Sequence, residues 1–144
     1  YARSFMTDNG NPNQWIDGYP SREIIAEDIN NDSFYVCKNE EESIVGAFTF
    51  IIGNDPTYEK IYCGKWLNDK PYGFIHRLVS NGTTHGITKN CIEWCLKQIQ
   101  NIRIDTHADN KIMQSLILKI GFEYCGIIHT HNGTERLAYQ ISGV

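Results

Sequence analysis

Nowhere is this sequence apolar for the roughly 20 consecutive residues that a bilayer-spanning helix needs, and its mean hydropathy is −0.39. The opening Tyr1-Ala2-Arg3-Ser4-Phe5 lacks the apolar stretch of a secretory signal. These two absences lead us to expect a soluble chain without a membrane partner. A basic excess is missing as well. Lys and Arg number 13 against 17 Asp and Glu, giving a net charge of −4 and a pI near 5.7. Nucleic acid rewards a basic face, so no nucleic-acid partner is expected. There is no C-x-x-C pair. The five cysteines, Cys37, Cys63, Cys91, Cys95 and Cys125, are odd in number. The histidines show no paired spacing with them of the kind that gathers three or four zinc ligands, so no metal is expected. Cys91 and Cys95, four apart, read as small buried apolar residues of a helix. Reduced thiols and no signal point to the cytoplasm.

Repeats, linkers and low-complexity blocks are also missing. With 144 residues and 41% hydrophobic content, the reading is one domain over 1–144 with a real core. The chain opens at Tyr1 rather than Met, so the expectation is a domain that lacks its first strand. After an Asn/Gly/Pro-rich opening, Pro20-Ser21 starts a helix with Ser21 as its cap, and Ile24, Ile25, Asp28 and Ile29 form its inward face. Phe34–Cys37 and the longer Ile44–Ile52 are strands, the second ended by Gly53-Asn54-Asp55-Pro56. The acidic run Lys38 to Ser43 between them reads as a solvated hairpin tip. A short strand is expected near Ile61-Tyr62-Cys63, and a clearer one over 72–79. A helix follows over about 87–100 with a stripe of Ile87, Cys91, Ile92, Cys95 and Ile99. A strand at 102–106 precedes a helix opened by Asp109 or Asn110, with Ile112, Met113, Leu116 and Ile120 inward and Gly121 at its end. Two final strands, 122–128 and 136–141, flank the hairpin dipeptide Asn132-Gly133. A strand–helix–strand unit implies a parallel pair, hence an α/β fold: a mixed sheet with helices on its faces.

The most informative stretch runs from Leu78 to Thr88. A strand passes into a helix through small residues, so the first helical N–H groups stay unpaired with the positive end of the helix dipole behind them. That is a ready pyrophosphate site, with Gly82 and Gly86 allowing close backbone approach. No Gly-Lys-Ser/Thr closes the loop, and the dinucleotide fingerprint is absent.

At this point the sequence resembles the GNAT superfamily of N-acetyltransferases. The family's phosphate pattern, Arg or Gln, two residues, Gly, one residue, Gly or Ala, falls on Thr83-Thr84-His85-Gly86-Ile87-Thr88. Gly86 is kept; Thr83 and Thr88 depart from the pattern. A second family pattern runs through the next helix and strand, where Asn110, Met113, Leu116, Lys119, Gly121 and Phe122 match in register. Asp105-Thr106-His107-Ala108-Asp109-Asn110 is similar to a segment of small bacterial members. The resemblance implies a mostly antiparallel sheet with one splayed parallel pair, flanked by helices. It implies acetyl-CoA as co-substrate, held by Arg77, Leu78, Thr83, Thr84, His85, Gly86, Ile87, Thr88, Asn110, Met113 and Ile117. The tyrosine that often protonates the leaving thiolate would stand at 117, where this chain has Ile117.

The function implied is direct acetyl transfer to a small-molecule amine by a monomer or homodimer. The alternative is an acyl-CoA-binding sensor of weak or no activity, which the altered loop and Ile117 favour. Transfer needs a route for the amine's proton. His76 is one candidate base and His107, beside Asp105 and Asp109, another. Tyr72 and Tyr124 are lesser candidate acids, and Cys125 reads as a buried strand thiol. Trp15, Trp66 and Tyr72 would line the acceptor side.

Overall fold

Local chemistry sets where the helices begin and end. Ser21 sits in extended conformation and its hydroxyl accepts the Ile24 amide at 3.2 Å, starting helix α2 (Arg22–Asn30). The Asn110 side chain accepts the Met113 amide at 3.1 Å and starts α4 (Lys111–Ile120), which ends at Gly121. Of the two residues named for that start, Asn110 is the cap. Between them lie β1 (Phe34–Lys38), β2 (Ile44–Ile52), a 3-10 turn at Pro56–Tyr58, β3 (Gly73–Ser80), α3 (Ile87–Gln98) and β4 (Asn101–Thr106). β5 (Glu123–His129) and β6 (Glu135–Ser142) close the chain. The computed structural model describes residues 1–143; Val144, the last residue of the expected domain, lies outside them.

The six strands form one sheet in the order β1-β2-β3-β4-β6-β5. All neighbours are antiparallel except β3 and β4. This is the mixed sheet that the sequence leads one to expect. α3 and α4 cover one face, where Phe48, Phe50, Ile75, Ile92, Ile102, Ile104 and Ile117 form the main core. The opposite face is covered by the chain between β2 and β3, through Tyr58, Tyr72, Phe74, Ile128 and Ala138 with Ile61 and Trp66. α2 joins that second side, because Thr49, which lies between Phe48 and Phe50 and so points away from α3, bonds Asp28 at 2.6 Å.

Four features differ from expectation. The opening contains a helix, α1 (Ala2–Asp8), inside a stretch read as irregular. Residues 61–63 form no strand; Tyr62 makes one isolated bridge to Ile127, with both bonds at 2.8 Å. On α4 the inward stripe is Met113, Leu116, Ile117 and Ile120, with Ile117 fully buried, while Ile112 is 48% exposed. Positions 113, 116, 117 and 120 complete an i, i+3, i+4, i+7 face, which puts Ile112 on the outer side with Ser115 and Lys119. On α2 the buried residue is Asp28, and Ile29 is exposed.

Candidate functional site

β3 and β4 pair only at Gly73↔Ile102 and Phe74↔Arg103, although both strands run on. Beyond those pairs the sheet opens. On its other edge β3 carries a bulge. Ala47 pairs with Val79 and Thr49 with His76, so two steps on β2 face three on β3. Arg77 lies in the bulge at φ +53, in the left-handed region that non-glycine residues avoid. Its guanidinium is held by Asp28, with Nε to Oδ2 at 2.8 Å and Nη2 to Oδ2 at 2.6 Å, and Nη1 donates to the Tyr19 hydroxyl at 3.0 Å. Burial alone would lower the Arg77 pKa, but Tyr19 and Asp28 outweigh it and raise it. Helix α2 is thereby tied to the bulge.

A cleft of about 430 Å³ occupies the opening. On the helix-covered side its walls are Ile75, Leu78, Ile104, Asn110 and Met113. Strand alternation turns the next side chains, His76 and Asp105, to the other side, where Asp55, Trp15 and Arg136 join them. The cleft therefore passes through the sheet and presents an apolar side and a charged side.

His76 is held from two directions. Its Nε2 lies 2.6 Å from Asp55 Oδ2, and its Nδ1 is 3.9 Å from Asp105 Oδ2. Asp55 is positioned in turn. Its amide donates to the Tyr72 hydroxyl at 2.8 Å, and its Oδ1 accepts the Thr57 amide and hydroxyl at 2.9 and 2.8 Å. Burial pushes the Asp55 pKa up, but the bond to His76, the charge of His76 and the Thr57 bonds outweigh it and leave it lowered. Tyr58 donates to Asp105 Oδ2 at 2.6 Å. Burial, then the Asp105 charge, raises the Tyr58 pKa well above its ordinary value, so Tyr58 stays a donor. With an ionised Asp55 accepting Nε2–H, the neutral ring keeps its lone pair on Nδ1.

The N-terminus of α3 contrasts with those of α2 and α4. Ser21 and Asn110 cap α2 and α4, but α3 begins at Gly86, at φ +81, with no side-chain cap. Its first amides thus lack an acceptor. Thr83 is not part of that unpaired set, since its amide and hydroxyl both donate to Asn81 Oδ1, at 3.0 and 2.7 Å. Thr84 and His85 are exposed, Thr88 is half-buried in the first turn, and Ile87 is buried beside Gly46, where a Cβ would collide with it.

The remaining candidates spread out. Asn110 Nδ2 donates to Gln14 Oε1 at 3.1 Å, and the Gln14 carbonyl accepts Arg136 Nη2 at 2.9 Å, so the segment around Gln14 closes one edge of the cleft. His107 does not line the cleft; its Nδ1 accepts the Asp109 amide at 3.0 Å within the turn before α4. Burial, then Arg136, lowers the His107 pKa. Ile117 lies in the core rather than on the cleft wall. Trp15 lines the cleft, but Trp66 and Tyr72 stack on Arg103. Tyr124 is half-exposed on β5, and Cys125 is buried with its pKa raised by desolvation. Burial likewise pushes Cys91 and Cys95 up to about 12. Sequence reasoning missed Gln14, Asp55, Tyr58 and Arg136 as site residues. Asp55 carried a turn signal, and the others carried none. Among the described residues no group of His, Cys, Asp or Glu could hold a metal, and no helix is long and apolar enough to cross a membrane.

No family model matches the chain, and no curated protein matches it. Among solved structures it is similar to a GNAT-family acetyltransferase from Streptococcus agalactiae. That pair is 30% identical with a TM-score of 0.88, over 99% of this chain and 84% of the other. A GNAT-family acetyltransferase from Listeria monocytogenes is 19% identical with a TM-score of 0.66, over 95% and 80% of the two chains. A NatC complex bound to Gag peptide and CoA is 13% identical with a TM-score of 0.65, over 98% and 90%. The last two share the fold alone.

Proposed function

Because the chain belongs to the GNAT family of acetyltransferases, we propose that it takes acetyl-CoA and passes the acetyl group directly to the amine of a small molecule. The observation that carries this reading is the cleft through the sheet, apolar toward α3 and α4 and bearing an oriented histidine on the far side. Acetyl-CoA fits the residues present. The uncapped start of α3, from Gly86 through Thr88, offers unpaired amides and a positive dipole end to a pyrophosphate. Leu78, Met113 and Asn110 offer a wall of mixed polarity to the pantetheine arm. Acetyl-CoA supplies an acetyl group activated as a thioester.

The chain's own part is to bind, orient and take a proton. His76 is the base in this reading. Asp55 holds its Nε2–H, so Nδ1 presents the lone pair toward the amine. Once protonated, the imidazolium is stabilised by Asp55 on one nitrogen and Asp105 near the other. Direct transfer is supported by the thiols: no cysteine lines the cleft, and Cys125 is buried with a raised pKa. A cleft of about 430 Å³ suits a small acceptor.

The test is calorimetric titration with acetyl-CoA, followed by CoA-thiol release with a panel of amines. Binding with amine-dependent release is the expected result. Binding without release from any amine would return the acyl-CoA sensor reading.

A further inference from the structure

Three guanidinium groups, of Arg103 and Arg136 (buried) and Arg77 (half-buried), lie on the loop-covered side of the sheet, and they are compensated differently. Arg77 has the carboxylate of Asp28. Arg103 lies between two rings, 4.3 Å from the centroid of Trp66 and 4.0 Å from that of Tyr72. Arg136, 9% exposed, has neither. Its Nη1 donates to Glu135 O at 2.9 Å and Thr134 Oγ1 at 3.3 Å, and its Nη2 donates to Gln14 O at 2.9 Å. Among the described residues no carboxylate lies within ion-pair reach of it. These bonds leave Nε–H and one Nη2–H without an acceptor. Nε is also not one of the sealed, unpartnered atoms, which are Asn11 Oδ1 and Arg103 Nε, and Arg136 lines the cleft.

The position is as informative as the missing partner. Asp105 pairs with Ala138 across β4 and β6, and Arg136 is two residues from Ala138 on the same face. Two strand residues span about 7 Å. A free guanidinium edge thus stands within a small molecule's length of the carboxylate and imidazole that would receive an amine. Desolvation lowers the Arg136 pKa against the pull of Asp105, as expected of a cation that lacks a counter-charge.

We propose that the acceptor is an amino acid, a small molecule carrying an amine for His76 and a carboxylate bound by Arg136. Adjacent N–H groups of a guanidinium match a carboxylate's two oxygens. Asp55 and Asp105 nearby disfavour a dianionic phosphate over a monoanionic carboxylate. This inference rests on the acetyltransferase reading.

The test uses matched probes on the intact protein in the presence of CoA: the common amino acids, their amides, and phosphoethanolamine. At least one amino acid should bind at least about tenfold more tightly than its amide. Arg136→Met should erase that difference while CoA affinity holds, and Arg136→Lys should restore it only in part. If either variant fails to fold, the acid–amide comparison on the parent protein still decides. The inference is overturned if no acid out-binds its amide, if none binds, or if phosphoethanolamine binds best. Turnover separates the two readings. Equal acetylation of acids, amides and simple amines keeps the enzyme and removes the carboxylate; selective carboxylate binding without CoA release does the reverse.

Discussion

The two faces of this sheet are made by the same strands and do different work. Toward α3 and α4, β3 and β4 contribute Ile75, Ile102 and Ile104 to an almost wholly apolar core. Toward the loops, the alternate positions contribute His76, Arg103 and Asp105, each held by a partner from outside its strand: Asp55, Trp66 and Tyr58. The first face needs only burial, which is roughly proportional to area and indifferent to direction. The second needs hydrogen-bond geometry, because a buried polar group left unpaired is costly. Substitutions on the helix side should therefore move stability, and those on the loop side turnover.

The largest expected effect is on the loop side. His76→Gln should lower kcat/KM by about a hundredfold to ten-thousandfold and remove the acidic limb of its pH profile, with little change in the KM for acetyl-CoA. A mutant with the parent's pH profile would remove His76 from the role of base. Next, on the helix side, Ile117→Ala should cost about 2–5 kcal/mol of stability, read by chemical denaturation, and leave the KM for acetyl-CoA unchanged. Ile117→Tyr should overpack the same site, costing about 1–3 kcal/mol, instead of accelerating the reaction. A changed KM in either variant would mean that residue 117 touches the pantetheine arm.

Gly86→Glu is the exception to the helix-side rule. A left-handed residue with a side chain costs about 1–3 kcal/mol, and a carboxylate would stand where the phosphate is expected. Acetyl-CoA binding should weaken by about tenfold to a hundredfold by calorimetry. Unchanged affinity would place the phosphates elsewhere. The smallest effect concerns Asp55. Its folded pKa is depressed, so it adds stability above the ordinary carboxylate pKa of about 4, lost as pH falls through the lower folded value. Asp55→Asn should cost about 1 kcal/mol at neutral pH and flatten the acid limb of the stability curve. A parent and mutant with parallel acid limbs would remove Asp55 from that role.

Sequence by itself determined the helix-covered half of the protein. The stripe on α3, the Asn110 cap, the Gly121 stop and the small-residue turn at Gly86 are local signals. Each is written in residues three or four apart, so the order of elements and the sheet's mixed character are legible along the chain. Ile112 and Ile117 exchanged roles because a stripe's exact centre depends on how the helix rolls against its neighbours. The charged half was decided only by tertiary structure. Asp55 meets His76 across 21 residues and Tyr58 meets Asp105 across 47, while Gln14 meets Asn110 across 96 and Arg136 across 122. Neither member of such a pair carries a periodic or turn signature that names the other. A hydrogen bond forms only when the fold brings two atoms within about 3 Å at the right angle, and no spacing along the chain encodes that distance.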